Sequence, residues 1–201
     1  MLGPDRRKCA VALALVLLLC VSDGVSPAGA PPLVVANTTW LTTGMLQAKV
    51  SGSKPVKGPA EALVEFTDAS GPSLPGSGSF RMTITDPSPT ALMIEGAYVQ
   101  DEKAKIGVTT DDPALADRLT DLVTDALEEQ GYDPGLFDLI QVSVTRNAVK
   151  TKASSRNGEL LQVKWKAQYE VLLVMGAESA QGKGSLSYNG KGTKSSSENQ
   201  R

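Results

Sequence analysis

A long alternating run near the C-terminus constrains the fold more than any other feature of the sequence. From Leu161 to Met175 every second residue is apolar or aromatic, and this period of two is typical of a β-strand with one buried face. Residues 140–144 alternate in the same way, and Asn157-Gly158 lies between the two runs. Because Asn-Gly favours the tight turn of a hairpin, the sequence predicts one long antiparallel hairpin over residues 140–175.

The turn also predicts a register for this hairpin. If Asn157-Gly158 forms a two-residue turn, three apolar pairs fall on one face of the ribbon, which is the arrangement that a single buried face requires. The predicted pairs are Ile140 with Met175, Val142 with Leu173, and Val144 with Val171.

The same register places cations on the buried face near the tip. Arg146, Lys150 and Lys152 would lie opposite Tyr169, Trp165 and Val163. We therefore expect a β-bulge or strong twist between about Arg146 and Lys152, because one extra residue turns the following side chains to the other face. Such a bulge brings Val149, Thr151 and Ala153 inward; the alternative is a tip that projects beyond the core.

Shorter patterns predict the remaining elements. Five alternating runs precede the hairpin, at residues 38–50, 62–66, 80–84, 92–98 and 106–108, and a last short strand holds Leu186 and Tyr188. Between them, apolar residues three and four apart predict one amphipathic helix over about 113–130, capped by Asp112 and ended by Gly131. The fold class is mainly β: an antiparallel barrel or strongly curled sheet of about eight strands, with the helix packed on it.

The N-terminus has the layout of a secretory signal peptide. Arg6, Arg7 and Lys8 precede an apolar stretch from Cys9 to Val21, which is short for a membrane span. We expect residues 1–24 to be removed, with cleavage between 22 and 30, and the protein to be periplasmic or extracellular. Leu19 before Cys20 argues against a lipid anchor at that cysteine. A single β-rich domain over 33–188 and a disordered polar tail over 189–201 follow.

Composition excludes several kinds of chemistry. The chain has no histidine, and both of its 2 cysteines lie in the leader. Catalytic triads that need His or Cys are therefore excluded, and zinc and haem sites lack their usual His and Cys ligands. Asp117, Asp121 and Asp125 lie on one helix face and do not converge as calcium ligands do. We predict no cofactor, no metal and no enzymatic activity.

Charge is slightly negative in total and unevenly distributed. The net charge is −2, which argues against general binding to nucleic acid. Residues 101–138 contain eleven carboxylates and three cations, whereas residues 146–201 contain ten cations and four carboxylates. The second region suits a solvated surface or an acidic partner.

Two sets of residues are candidates for a site. The first set has aromatic side chains on predicted inward faces, which can fill the core or line a cavity in the barrel: Trp40, Tyr98, Trp165 and Tyr169. The second set is cationic and lies along the hairpin, where a solvated end or a contact surface is possible: Arg146, Lys150, Lys152, Arg156, Lys164 and Lys166.

These observations predict an exported, non-catalytic binding domain that holds a small apolar ligand in the barrel interior. The alternative is an envelope or extracellular protein-interaction module that uses the basic-tipped hairpin 140–175, whose edge can also add a strand from a partner. Both hypotheses exclude nucleic acid as a partner and a transmembrane span in the mature chain.

Overall fold

Alternation at period two runs through most of the chain and produces long antiparallel strands. The computed structural model describes residues 33–69, 71–85, 91–155 and 159–195. The chain divides into two units, Met1–Pro31 and Pro32–Arg201, and all described residues belong to the second. The strands of the described residues are β1 (Thr38–Val50), β2 (Val56–Thr67), β3 (Gly76–Ile84), β4 (Leu92–Gln100), β5 (Ile106–Thr109), β6 (Leu139–Ser154), β7 (Leu160–Met175) and β8 (Glu178–Lys194).

All eight described strands belong to one sheet with the order β5-β4-β3-β2-β1-β8-β7-β6. Two meanders, β1–β5 and β6–β8, are joined by the antiparallel pairing of β1 with β8. The twist of such a long sheet curls it until its two edges approach each other. There, the Thr110 hydroxyl donates a hydrogen bond to the Asn147 carbonyl at 3.1 Å. The result is a nearly closed barrel with one packed α-helix, which confirms the predicted fold class.

Large side chains from the inward faces of the strands fill the middle of the barrel. Phe66 packs against Phe80 with ring centroids 5.6 Å apart, and against Tyr98 edge-on at 5.1 Å. These rings, together with Trp40, Trp165 and Tyr188, are almost completely buried. Burial of aromatic surface on this scale is the main stabilising contribution of the core.

The predicted helix is present as α1 (Leu115–Glu129), followed by a short 3₁₀ helix (Pro134–Leu136). Its end agrees with the prediction, because Gly131 has a φ of +85°. Its start does not: Asp112 is not the capping residue, and no side chain caps Ala114. The Asp112 carboxylate instead accepts hydrogen bonds from the Glu95 backbone N–H at 3.0 Å and from the Arg118 guanidinium at 2.8 Å.

The predicted register of the β6–β7 hairpin is wrong by two residues at its base. Ile140 lies opposite Leu173, and Val144 lies opposite Tyr169. The described pairing nearest the tip is Ser154 with Leu160, and five residues lie between these partners. A two-residue turn would leave an even number of residues between paired positions, so the strands are not paired as that turn requires. The connection between β6 and β7 accounts for one residue of the shift and a bulge accounts for the other. Asn157-Gly158 itself lies outside the described residues.

The bulge lies between Val144 and Arg146, at the start of the predicted segment. Beyond it the strand presents its other face to the core, so Val149 is buried opposite Trp165. Thr151 and Ala153 also turn inward and are half-buried. An even shift of register leaves the inward set unchanged, which explains why the apolar faces were predicted correctly and the partners were not.

The last strand is much longer than predicted. β8 continues from Tyr188 to Lys194 and pairs with both β1 and β7, so residues 189–194 belong to the barrel and not to a polar tail. Gly190 and Gly192 occupy its inward positions there. A Cβ at Gly192 would lie 1.8 Å from the Leu41 carbonyl oxygen. Because close strand approach demands glycine here, the segment has no apolar pattern to reveal it. Residues 196–201 lie outside the described residues.

Candidate binding site

Three of the four aromatic candidates belong to the packed core. The indole N–H of Trp40 donates to the Thr38 hydroxyl at 2.8 Å, and that of Trp165 donates to the Asn147 side-chain oxygen at 2.8 Å. Both indoles and the ring of Tyr98 are about 1% exposed or less. The barrel interior is therefore filled at these positions. The fourth, Tyr169, is half-buried and lines a cavity.

That cavity lies at the end of the barrel that α1 crosses, and its volume is about 390 Å³. One wall is the helix, and the others are the end of β1, the adjoining ends of β3 and β4, and two residues of β7 and β8. The described lining residues are apolar apart from the amide of Gln130 and the hydroxyl of Tyr169: Leu46, Ala48, Val50, Ile84, Leu92, Leu119, Leu122, Val123, Ala126, Leu127, Gln130, Tyr169 and Leu186.

The cavity exists because only the first half of the helix is fully buried against the core. Leu115 and Leu119, in the first half, are buried. Leu122, Val123 and Leu127 continue the same stripe, but they are only half-buried and face the cavity. Leu122 and Val123 pack against the core on one side, and the part of each that stays exposed lacks the close-packed neighbours of a fully buried residue. The second half of α1 therefore covers a space and does not fill it.

Hydrogen bonds hold the first half of the helix in place. Arg118 binds Asp112 and also donates to the Met93 carbonyl at 2.8 Å, which ties the helix to β4. The Thr120 hydroxyl accepts a hydrogen bond from the Val142 backbone N–H of β6 at 3.2 Å. The helix is thus fixed to strands on both sides of the gap between the sheet edges β5 and β6. These contacts define the position of the cavity wall.

Tyr169 forms part of the opposite wall. Its ring lies across Gly184 of β8, where a Cβ would be 2.4 Å from the phenol Cζ atom. Burial raises the pKa of Tyr169 above its ordinary value, so its hydroxyl remains protonated and can donate a hydrogen bond. The site thus combines apolar walls with two groups that can orient a polar atom, and its described lining contains no charged side chain.

A second, larger groove is polar and lies between the outer ends of β6, β7 and β8, with Gln141, Ser143 and Gln181 among its lining residues. Lys183 and Glu170 form an ion pair within it at 2.7 Å. This hydrogen bond raises the pKa of Lys183. Both side chains are largely exposed, so the pair contributes little to stability. We see no convergent set of groups in this groove.

The cationic candidates lie on the outer face of the hairpin. Arg146, Lys150, Lys152, Lys164 and Lys166 are all exposed, and Arg156 lies outside the described residues. The sequence prediction did not include Lys191 among the cationic candidates, because the part of β8 that carries it was assigned to the tail. It also missed the cavity lining on α1, since the apolar stripe was interpreted as wholly core-facing.

Other kinds of site are not supported by the part of the chain that the structure describes. Within it, no group of three or more His, Cys, Asp or Glu side chains is placed to hold a metal ion. No helix among the described residues is long and apolar enough to cross a membrane. No protein-family model, curated protein or solved structure matches the chain. The fold and the site together define a nearly closed β-barrel with an apolar cavity beneath its helix.

Proposed function

We propose that this protein is a non-catalytic binding protein that holds a small apolar molecule in the cavity beneath α1. The observation that supports the proposal is the half-buried stripe of Leu122, Val123 and Leu127, which faces an open volume of about 390 Å³. Apolar walls with a few polar groups, at a volume of roughly 300–1,000 Å³, are typical of small-molecule sites. The ligand lies at the end of the barrel, because large side chains fill the middle.

The lining favours a ligand with a predominantly hydrocarbon body. Transfer of that body from water to walls such as Leu46, Leu122 and Leu186 supplies the binding free energy. An ionised group inside the cavity would find no charged partner among the described lining residues, and an unpaired buried charge is costly. Tyr169 and Gln130 suit one neutral polar group of the ligand, which they would orient by hydrogen bonds.

We also propose that the protein acts after export. The support is the basic and then apolar arrangement of residues 6–21, which is typical of a secretory signal. An apolar ligand has low solubility in water, and a protein carrier outside the cytoplasm is one use for such a cavity. N-terminal sequencing of the protein recovered from outside the cytoplasm should give a start between residues 23 and 31. Recovered protein that still begins at Met1 would contradict export.

Binding can be tested with N-phenyl-1-naphthylamine, a neutral probe whose fluorescence increases in apolar surroundings. We expect the unit Pro32–Arg201 to bind the probe with saturation. The variant Ala126→Trp should bind at least about tenfold more weakly, because the indole at the mouth of the cavity occupies the space that the probe needs.

The matched control is Glu128→Trp. Both residues are exposed on the second half of α1, but Ala126 lines the cavity and Glu128 does not. The control should bind the probe as the unchanged protein does, and both variants should keep their thermal midpoints. Equal binding by the two variants, or no saturable binding by the unchanged protein, would reject the proposed site.

A further inference from the structure

The outer face of β6, β7 and β8 carries a concentrated positive charge that the cavity does not use. Because alternate residues of a strand point to the same side, the pairing of these strands brings outward cations from all three onto one surface. We call this surface the lysine face. Its members are exposed or outward-facing cations: Arg146, Lys150, Lys152, Lys164, Lys166 and Lys191.

The arrangement opposes the stability of the sheet. Lys150 lies directly opposite Lys164 on adjacent strands, and like charges in that position destabilise a sheet. Lys166 and Lys191 extend the charge along and across the face, next to the small polar residues Ser187 and Asn189. An arrangement with this cost is consistent with a role in binding.

No acidic side chain offsets this charge on the face itself. Residues 146–154, 160–168 and 185–193 contain no Asp or Glu. Two carboxylates lie just beyond it on the β7 side, and each already has a cation: Glu170 pairs with Lys183 at 2.7 Å, and Glu159 pairs with Lys194 at 3.5 Å. None of the six members forms an ion pair within the described part of the chain. The face is therefore a region of positive potential on a chain of net charge −2.

The composition of the face indicates what it contacts. Five of its six cations are lysines, which act as compact point charges and lack the planar fork with which arginine recognises one carboxylate or phosphate. Three exposed apolar side chains border it on the same outer surface, with Leu41 and Met45 on β1 and Leu160 on β7. Diffuse charge with apolar side chains at its border suits a surface that is itself diffuse and partly apolar.

We propose that the lysine face docks the protein on a membrane surface rich in anionic lipid. Headgroup phosphates would attract the lysines, and Leu41, Met45 and Leu160 would contact the interfacial region of the bilayer. Docking through the lysine face does not require the cavity, and it can be tested without a cavity ligand.

The test is co-sedimentation of the unit Pro32–Arg201 with vesicles. We expect binding to vesicles that contain phosphatidylglycerol, little binding to pure phosphatidylcholine, and loss of binding at high salt, because salt screens the attraction. The variant Lys150→Gln/Lys164→Gln should bind roughly 30-fold more weakly, since each lysine near an anionic surface contributes roughly a fivefold factor.

The matched control is Lys54→Gln/Lys57→Gln. It removes the same charge from two exposed residues outside the lysine face, Lys54 in the β1–β2 connection and Lys57 at the start of β2. Its affinity should stay within about twofold of the unchanged protein. Equal losses in the two variants would show attraction by net charge alone and would overturn the proposal. Failure to bind anionic vesicles would overturn it too, and binding to soluble polyglutamate in that case would identify an acidic polymer as the partner.

Discussion

The two ends of the barrel are covered by different segments of the chain, and only one end is filled with side chains. At the end opposite the helix, which we call the closed end, residues 33–37 run from β1 towards β4. There the Gln100 amide donates to the Leu33 carbonyl at 2.7 Å, and its oxygen accepts from the Val35 N–H at 3.0 Å. At the helix end, α1 lies over the opening and leaves an apolar cavity. An extended segment held by a buried amide fits closely, whereas a helix wider than a strand cannot follow the same contour.

The comparison shows that an apolar sequence pattern can mark either a packed core or the lining of a cavity, and that both occur in this domain. Side chains at the closed end stabilise the fold because they are fully packed. Side chains at the helix end are available to a ligand because they are not fully packed against other side chains. Substitutions at equivalent positions of the two ends should therefore separate stability from binding.

The largest expected difference is between Trp40→Ala and Leu122→Ala. Trp40 is fully buried, and its truncation should reduce the free energy of unfolding by about 3–5 kcal/mol. Leu122 is half-buried and already borders a cavity, so its truncation should cost about 1 kcal/mol. Urea denaturation measures both. A cost at Leu122 as large as that at Trp40 would mean that the helix end is packed.

The second contrast concerns two glutamines. Gln100→Ala should cost about 1–3 kcal/mol, because it leaves buried backbone groups of Leu33 and Val35 without a partner. Gln130 is exposed at the cavity, and Gln130→Ala should leave the free energy of unfolding unchanged. Similar costs for the two variants would contradict the role assigned to Gln100.

The third contrast uses two glycines of β8, each covered by a tyrosine ring. A Cβ at Gly190 would lie 2.2 Å from the Tyr188 hydroxyl oxygen. This hydroxyl lies 2.9 Å from the Thr42 hydroxyl and donates to the Thr42 carbonyl at 3.0 Å. Tyr188 cannot move, so Gly190→Ala should cost about 1–3 kcal/mol by overpacking.

Gly184→Ala should cost less than about 1 kcal/mol, because the Tyr169 ring can turn into the cavity. The displaced ring should instead weaken N-phenyl-1-naphthylamine binding. Gly182→Ala is the control, since nothing lies within 4 Å of a Cβ there. If Gly184→Ala destabilises the protein as much as Gly190→Ala, then Tyr169 has no free space beside it.

The smallest effect is expected from pH. Burial, and to a lesser extent Asp68, raises the pKa of Tyr98, and burial raises that of Tyr188. In the unfolded chain tyrosine ionises near pH 10, roughly its ordinary value. The stabilisation is therefore complete below that pH and is lost as pH rises towards the folded-state pKa.

Thermal midpoints should accordingly fall above about pH 10. Tyr98→Phe should reduce this alkaline fall. It should leave the neutral midpoint unchanged or slightly higher, because the buried Tyr98 hydroxyl has no hydrogen-bond partner in the described part of the chain. An alkaline fall that is identical in Tyr98→Phe would show that Tyr98 does not contribute to it.

Local patterns in the sequence predicted the strands, the helix and the inward faces. They could not predict the register of β6 and β7, because period two marks a face and not a partner. They could not reveal the end of β8, where glycines replace the apolar side chains. Nor could they find the cavity, since Leu119 and Leu122 belong to one stripe and differ only in what the barrel places beneath them. How far a helix enters a barrel depends on contacts distant in sequence, here those of Arg118 with Met93 and of Thr120 with Val142.

The most direct test of the difference between the two ends is to locate a bound probe by NMR. Backbone amide shifts of the unit Pro32–Arg201 would be followed during titration with N-phenyl-1-naphthylamine. If the probe binds beneath α1, the changes should concentrate in the second half of α1 and around Leu46, Tyr169 and Leu186, while Val35 and Gln100 stay unperturbed. Changes centred on the closed end, or no localised change at saturation, would contradict it.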